Sequence, residues 1–349
     1  MKASTMKINQ IPDDCLTKIF SYLKRYDIEN CKLVSRFFYH NITHYSKYLS
    51  RPVINQISIL GKCSNDDKNI KLGRVRFGRI EKNNKNKYYE VCLSKKSRKS
   101  GKIKVLKSIE GENILINNKI IEYMKEYIIN ESLRFLYVDF DTIMCKSFLE
   151  KRIDLSEICN IDFTLSPLYT DPEYFYKLLT RSNCEKLNME FCRNTEKYLN
   201  DKLLTSLPNL SSLQVQLSNN DIPLSITDAT LQYWLTKKSG FPLKINLSQC
   251  YTKFSLSKIL EVASKLYHHT RNVSRQIYLG EINITQYEFL LLSKLPYTIF
   301  QLNYIQDEKY YLFLNLDNET RYRNIDFVNQ IALRINISSD NPTSHTNDH

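Results

Sequence analysis

The chain has 349 residues, 42% of them apolar and 12% aromatic, with a formal net charge of +13. That apolar content argues against general disorder and allows one small module plus one large domain, while only seven glycines and nine prolines argue against a glycine-rich barrel or a long linker. No apolar run follows Met1, and no stretch reaches the ~18–20 uninterrupted apolar residues that a bilayer crossing needs. The expectation is a soluble chain of the cytoplasm or nucleus, with no membrane partner.

The first predicted helix lies in Ile11–Leu23, IPDDCLTKIFSYL. Pro12 suits a first helical turn, and Asp13 and Asp14 complement the positive end of the dipole. Cys15, Leu16, Ile19, Phe20 and Leu23 recur at three- and four-residue steps, which predicts one shared helical face. Two shorter helices follow, with Ile28, Cys31 and Val34 as the apolar positions of one and Phe37, Phe38, Ile42 and Tyr45 those of the other. Three short helices spanning about forty residues are expected to lack a core of their own. They then either cap the rest of the chain or offer apolar side chains to a partner.

The order of these residues resembles the F-box family. Its pattern is matched by Ile11-Pro12, Asp13-Asp14, Leu16, Ile19-Phe20-Ser21-Tyr22-Leu23, Asp27-Ile28 and Val34-Ser35-Arg36, with Phe38 where many members carry Trp. Ile11 replaces the usual Leu, and both departures keep apolar bulk. The resemblance implies an F-box domain at 8–50 that binds a Skp-family adaptor, and through it a cullin and a RING subunit. It also implies adaptor-binding residues at Ile11, Pro12, Leu16, Ile19, Phe20, Leu23, Ile28, Val34 and Phe38.

From Lys62 to Lys107 sixteen Lys and Arg stand against four Asp and Glu, so nearly all of the net charge lies there. IKLGRVRFGRI and KYYEVCL alternate as strands do, placing Leu72, Val75, Phe77 and Val91 to pack inward and the cations to face water. Residues 51–132 are therefore expected to be a folded basic connection. A nucleic-acid site here is the competing reading, with Phe77, Tyr88 and Tyr89 as rings for stacking.

A different rhythm begins near Leu133. Short apolar runs centred on Leu136, Ile161, Leu187, Leu213, Ile245, Ile277 and Phe300 alternate with amphipathic stretches such as DPEYFYKLLTRS and SLSKILEVASKLYHH. Their spacing is near or just beyond the ~20–29 residues of leucine-rich repeats. Leu133-Leu136-Val138 and Leu210-Leu213-Val215 fill that repeat's frame, and Cys192 and Cys250 take its ninth place. Ile226-Thr227-Asp228 with Leu231 is similar to the helix start of cysteine-containing leucine-rich repeats, a subfamily that commonly follows an F-box. An ordinary α/β domain would show a similar alternation. YYLFLNL and IALRINI are two further strands that could cap the sheet, and 338–349 is expected to be a disordered tail.

Catalytic signatures are missing: there is no Gly-x-Ser-x-Gly, phosphate loop, Gly-x-Gly-x-x-Gly or His-Glu-x-x-His. His40 and His44 could share a helical face but lack a third metal ligand. His268-His269 follow a helix end, and Asp139 and Asp141 sit at a strand end. Nine scattered cysteines without C-x-x-C suit reduced core thiols. No enzyme, metal or cofactor is expected. The fold class expected is α/β, a three-helix F-box followed by a leucine-rich-repeat-like solenoid of parallel strands and helices over 133–337. The expected role is substrate recognition in a Skp–cullin–F-box ubiquitin ligase, holding a protein substrate whose binding face the sequence does not specify. No nucleic-acid partner is expected on this reading.

Overall fold

The structure is a computed structural model that describes residues 11–23, 25–45, 49, 51, 53–62, 88–97, 100, 102–150, 153–217, 223–247, 249–267, 274–292, 300–306, 309–316 and 330–338. It begins with helices α1 (Asp13–Ser21), α2 (Arg25–Val34) and α3 (Arg36–His44). Strands β1 (Val53–Lys62), β2 (Tyr88–Lys96) and β3 (Ile103–Glu112) precede α4 (Asn113–Glu126) and β4 (Ile128–Leu136). Next come β5 (Phe140–Asp141), α5 (Thr142–Phe148), β6 (Asn160–Thr164), β7 (Leu168–Tyr169), α6 (Pro172–Arg181) and β8 (Lys186–Cys192). The short α7 (Thr195–Tyr198) and α8 (Asp201–Thr205) lead to β9 (Ser212–Leu217), α9 (Asp228–Thr236), β10 (Lys244–Asn246) and α10 (Leu256–Tyr267). The series closes with β11 (Gln276–Thr285), α11 (Gln286–Leu292), β12 (Phe300–Gln306), β13 (Lys309–Asn315) and β14 (Gln330–Ser338).

Twelve strands form one sheet in the order β12-β13-β14-β11-β10-β9-β8-β6-β4-β1-β2-β3. From β14 through β1 every neighbouring pair is parallel. The outer strands β2, β3, β12 and β13 pair antiparallel. The expectation of parallel strands alone is therefore corrected: the fold is a large mixed sheet. The connections from β2 to β3 and from β12 to β13 are short, and a parallel pairing needs a crossover of about a dozen residues or more.

An apolar ladder runs across the sheet. Leu133, Ile161, Leu187, Leu213, Ile245, Ile277 and Ile331 stand opposite one another in successive strands, and all are buried. Two of the expected anchors move. Leu136 is half-buried and pairs with Thr164, because a three-residue step along a strand lands on the other face. Phe300 lies in the antiparallel edge, opposite Leu314. In β6 and β9 burial alternates strictly, and the inward residues share one core with the buried faces of α5, α6, α9 and α10. Fully burying each aliphatic side chain contributes about 1.5–3 kcal/mol, so the ladder and its covering helices hold the array together.

The strands end alike. Tyr137, Leu165 and Phe191, at equivalent positions after β4 and β6 and within β8, all adopt positive φ, at 57°, 50° and 53°. Such a backbone costs on the order of 1 kcal/mol or more for a side chain with a Cβ. Neighbouring strands hold it in place: Tyr137 N–H donates to the Thr164 carbonyl at 3.1 Å, and Leu165 N–H to that of Glu190 at 2.8 Å. Side chains just beyond these turns also reach back one strand. Ser166 Oγ donates to the Phe135 carbonyl (3.1 Å), Cys192 Sγ to Phe163 (3.3 Å) and Cys250 Sγ to Val215 (3.8 Å). On the helix side Asp201 accepts from the N–H and hydroxyl of Thr227, the residue that caps α9. Asp228 does the same for Ser255, just before α10.

Gly280 answers a stricter demand. Its φ is +83°, and a Cβ there would lie 2.5 Å from the Cys250 carbonyl oxygen and 3.0 Å from that of Leu247. Gly280→Ala therefore combines backbone strain with a collision against main chain. It is expected to lower stability by more than ~2 kcal/mol, read as an earlier midpoint in urea unfolding. An unchanged midpoint would mean that β10 and β11 approach less closely.

Candidate functional site

The three N-terminal helices do bury a core, contrary to the expectation. Leu16, Phe20, Ile28, Phe38, Ile42 and Leu49 form a cluster separate from the core of the sheet, with Ile11, Leu23, Cys31 and Phe37 against it. Phe20 meets Phe38 edge-on at 5.3 Å. Ser35 caps α3 by accepting from Phe38 N–H at 3.2 Å, and the Tyr45 hydroxyl reaches Asp13 at 3.5 Å. Leu49 closes the unit from the chain beyond α3, which residue spacing within the helices could not reveal.

This packing divides the residues expected to meet a partner. Leu16, Phe20, Ile28 and Phe38 are buried inside the unit, Ile11 and Leu23 are half-buried, and Pro12, Ile19 and Val34 are exposed. The single apolar face expected for α1 is two faces. Leu16, Phe20 and Leu23 turn inward, whereas Pro12, Cys15, Ile19 and Tyr22, at steps of three and four, form an outward row. Ile19 is 49% exposed and Tyr22 76%. At the end of α2, Leu33 and Val34 are 85% and 70% exposed, and Tyr39 on α3 is 52%. Tyr22, Leu33 and Tyr39 were missed as candidates. For Tyr22 the second periodic row was the available signal.

The sheet offers a second surface. Alternate residues of the parallel strands point away from the helix-side core and remain partly accessible, among them Arg134, Asp162, Asn188, Gln214, Tyr278 and Arg334. Arg134 Nε pairs with Asp162 at 2.9 Å, and Asn188 Nδ2 donates to the same carboxylate at 3.0 Å. Toward β14, Arg334 pairs with the buried Glu281 at 3.3 Å, donates to the Tyr311 hydroxyl at 3.0 Å and lies over that ring. Burial and the neighbouring Tyr311 hold the Tyr278 phenol well above its usual range. Tyrosine and arginine rimmed by amides are the side chains that most often anchor protein interfaces.

Among the described residues no group of three His, Cys, Asp or Glu is placed to hold a metal. His40 and His44 are exposed on α3. Asp141 caps α5, accepting from Met144 N–H at 2.7 Å, and His268-His269 lie outside the described residues. Burial pushes the thiols of Cys145, Cys184, Cys192 and Cys250 up to about 12, leaving almost no thiolate at neutral pH. In the basic stretch, Tyr89 and Val91 are buried in the core of the sheet, so the Tyr89 ring is not available for stacking. IKLGRVRFGRI, with Leu72, Val75 and Phe77, lies outside the described residues, as do the Tyr88 side chain and the tail 339–349.

Residues 8–49 match the F-box domain family, an assignment that indicates a Skp-family partner. No curated protein and no solved structure matches the chain. No helix among the described residues is long and apolar enough to cross a membrane.

Proposed function

We propose that this chain, which carries an F-box domain ahead of a large mixed sheet, is a non-catalytic substrate-recognition subunit of a Skp–cullin–F-box ubiquitin ligase. The observation that carries the reading is the outward apolar row of α1, together with the exposed Leu33 and Val34 of α2. A helical unit that has already buried one apolar face keeps a second only at a cost in solubility, and a docked adaptor removes that cost. The F-box match supports a Skp-family adaptor as that partner. Leu16, Phe20, Ile28 and Phe38 then shape the docking surface from beneath, and Pro12, Ile19 and Val34, with Tyr22 and Leu33, touch the adaptor.

The sheet domain is proposed to be leucine-rich-repeat-like, and its open polar face to hold a protein substrate. The ladder of equivalent positions, the recurring positive-φ residues and the reach of Ser166, Cys192 and Cys250 to the preceding strand support this. The mechanism is positioning: a substrate held on the sheet is kept at high effective concentration near the ubiquitin-charged enzyme. The cellular setting proposed is the cytoplasm or nucleus.

Co-expression with a Skp-family adaptor tests the central claim. A complex that stays together through size-exclusion chromatography, and is lost when residues 1–50 are removed, is the expected result. Equal adaptor recovery with the truncated chain would refute it.

A further inference from the structure

The outermost strand of the sheet, β3, carries apolar side chains that are about half exposed. Ile103, Val105 and Leu106 are 56%, 52% and 52% exposed. A bulge explains the concentration. Leu93 of β2 faces Lys107 and the next residue, Ser94, faces Val105, so Leu106 is the extra residue and the edge bends there. No strand among the described residues pairs with the other side of β3, so among them its outer edge has backbone donors and acceptors without a strand partner.

The charges around this edge are ordered. Alternation puts Ile103 and Val105 on one face, and Lys102 and Lys104 on the other, where Lys95 lies opposite Lys104. Lys96, opposite Ile103 on the apolar face, reaches Glu131 at 3.8 Å, and Lys107 stands over the Tyr123 ring at 5.1 Å. Among the described residues no ion pair engages Lys95, Lys102 or Lys104. We propose that the free edge of β3 binds an extended, acidic segment of a partner protein by strand addition. This goes beyond the ligase reading, on which it rests for a substrate-holding sheet domain, by adding an edge site and naming a substrate class.

An incoming strand that alternates apolar and acidic residues fits both faces at once. Its main chain takes up the unpaired edge, its apolar residues cover Ile103 and Val105, and its carboxylates meet Lys102, Lys104 and Lys95. A second copy of this chain pairing through the same segment would set lysine against lysine, which opposes pairing. A nucleic-acid backbone would use the lysines but leave the apolar face and the backbone edge uncovered.

The test uses the full chain without adaptor, so that failure of adaptor docking leaves it unaffected. A short fluorescein-labelled peptide alternating valine and glutamate is titrated at near-physiological salt and read by anisotropy. Saturable binding is expected, with loss when the peptide valines become proline or its glutamates become glutamine. Lys102→Glu with Lys104→Glu should weaken binding about tenfold or more, whereas Lys197→Glu with Lys238→Glu, exposed elsewhere, should leave it unchanged. Slower backbone hydrogen exchange at 103–107 on peptide addition would locate the contact. No binding, equal binding of the proline peptide, or equal loss in both charge-reversed variants overturns the proposal. Tighter binding of a single-stranded oligonucleotide, or a dimer that Val105→Lys dissolves, would assign the edge to another occupant.

Discussion

Ile19→Asp combined with Leu33→Asp is expected to abolish adaptor binding while leaving the unfolding of the chain unchanged. Both side chains are largely exposed and lie outside the core of the helical unit, so their replacement should shift stability by no more than ~0.5 kcal/mol. In a docked interface each would bring a charge against apolar surface, and losing an interface anchor commonly costs about 2 kcal/mol or more. Leu16→Ala with Phe20→Ala should also abolish binding, but by a different route. Each truncation empties a buried position at about 2–5 kcal/mol, and a core of six side chains has little to spare. Co-purification together with limited proteolysis separates the two. The first variant should be as protease-resistant as the parent, and the second should be cut within its first fifty residues. Full adaptor recovery from the Ile19/Leu33 variant would move the docking surface elsewhere.

Leu213→Asp is expected to unfold the sheet domain outright. Leu213 is fully buried and stands between Leu187 and Ile245 in the apolar ladder. A carboxylate there would lie among buried apolar side chains of the ladder, and burying it unpaired costs several kcal/mol, a large part of the ~5–15 kcal/mol that stabilises most domains. Its neighbour Gln214 faces the open side and is half-buried, so Gln214→Asp should fold. Because the helical unit has its own core, Leu213→Asp should still bind adaptor. Circular dichroism and adaptor pull-down on the two variants test the alternation and the independence of the cores together. A cooperative, parent-like melt for Leu213→Asp would contradict the ladder.

The sequence alone was enough for the first three helices, for several strands of the sheet and for the F-box match at 8–49. Residue spacing found all three first helices, because an amphipathic period needs no knowledge of what covers it. The runs around Ile161, Leu187, Leu213, Ile245 and Ile277 were legible as strands for the same reason, and each stands in the sheet as one. Cys192 and Cys250, singled out in the sequence, are both buried, and each thiol reaches a carbonyl of the preceding strand.

Only the tertiary structure decided which face of α1 is covered. Period 3.6 shows that Leu16 and Phe20 travel together, as do Ile19 and Tyr22, but not which pair meets Phe38 and Leu49. It also decided the direction of the outer strands, since alternation is the same in a parallel and an antiparallel pair. Positive φ at Tyr137, Leu165 and Phe191 has no signature in those residue types. At Tyr137 and Leu165 hydrogen bonds donated to carbonyls of the next strand hold it, and they exist only once the strands lie side by side. The exposed edge of β3 was hidden for a related reason. KIKVLKSIEGE shows an ordinary strand alternation, and whether such a strand is central or outermost depends on how many neighbours the rest of the chain supplies.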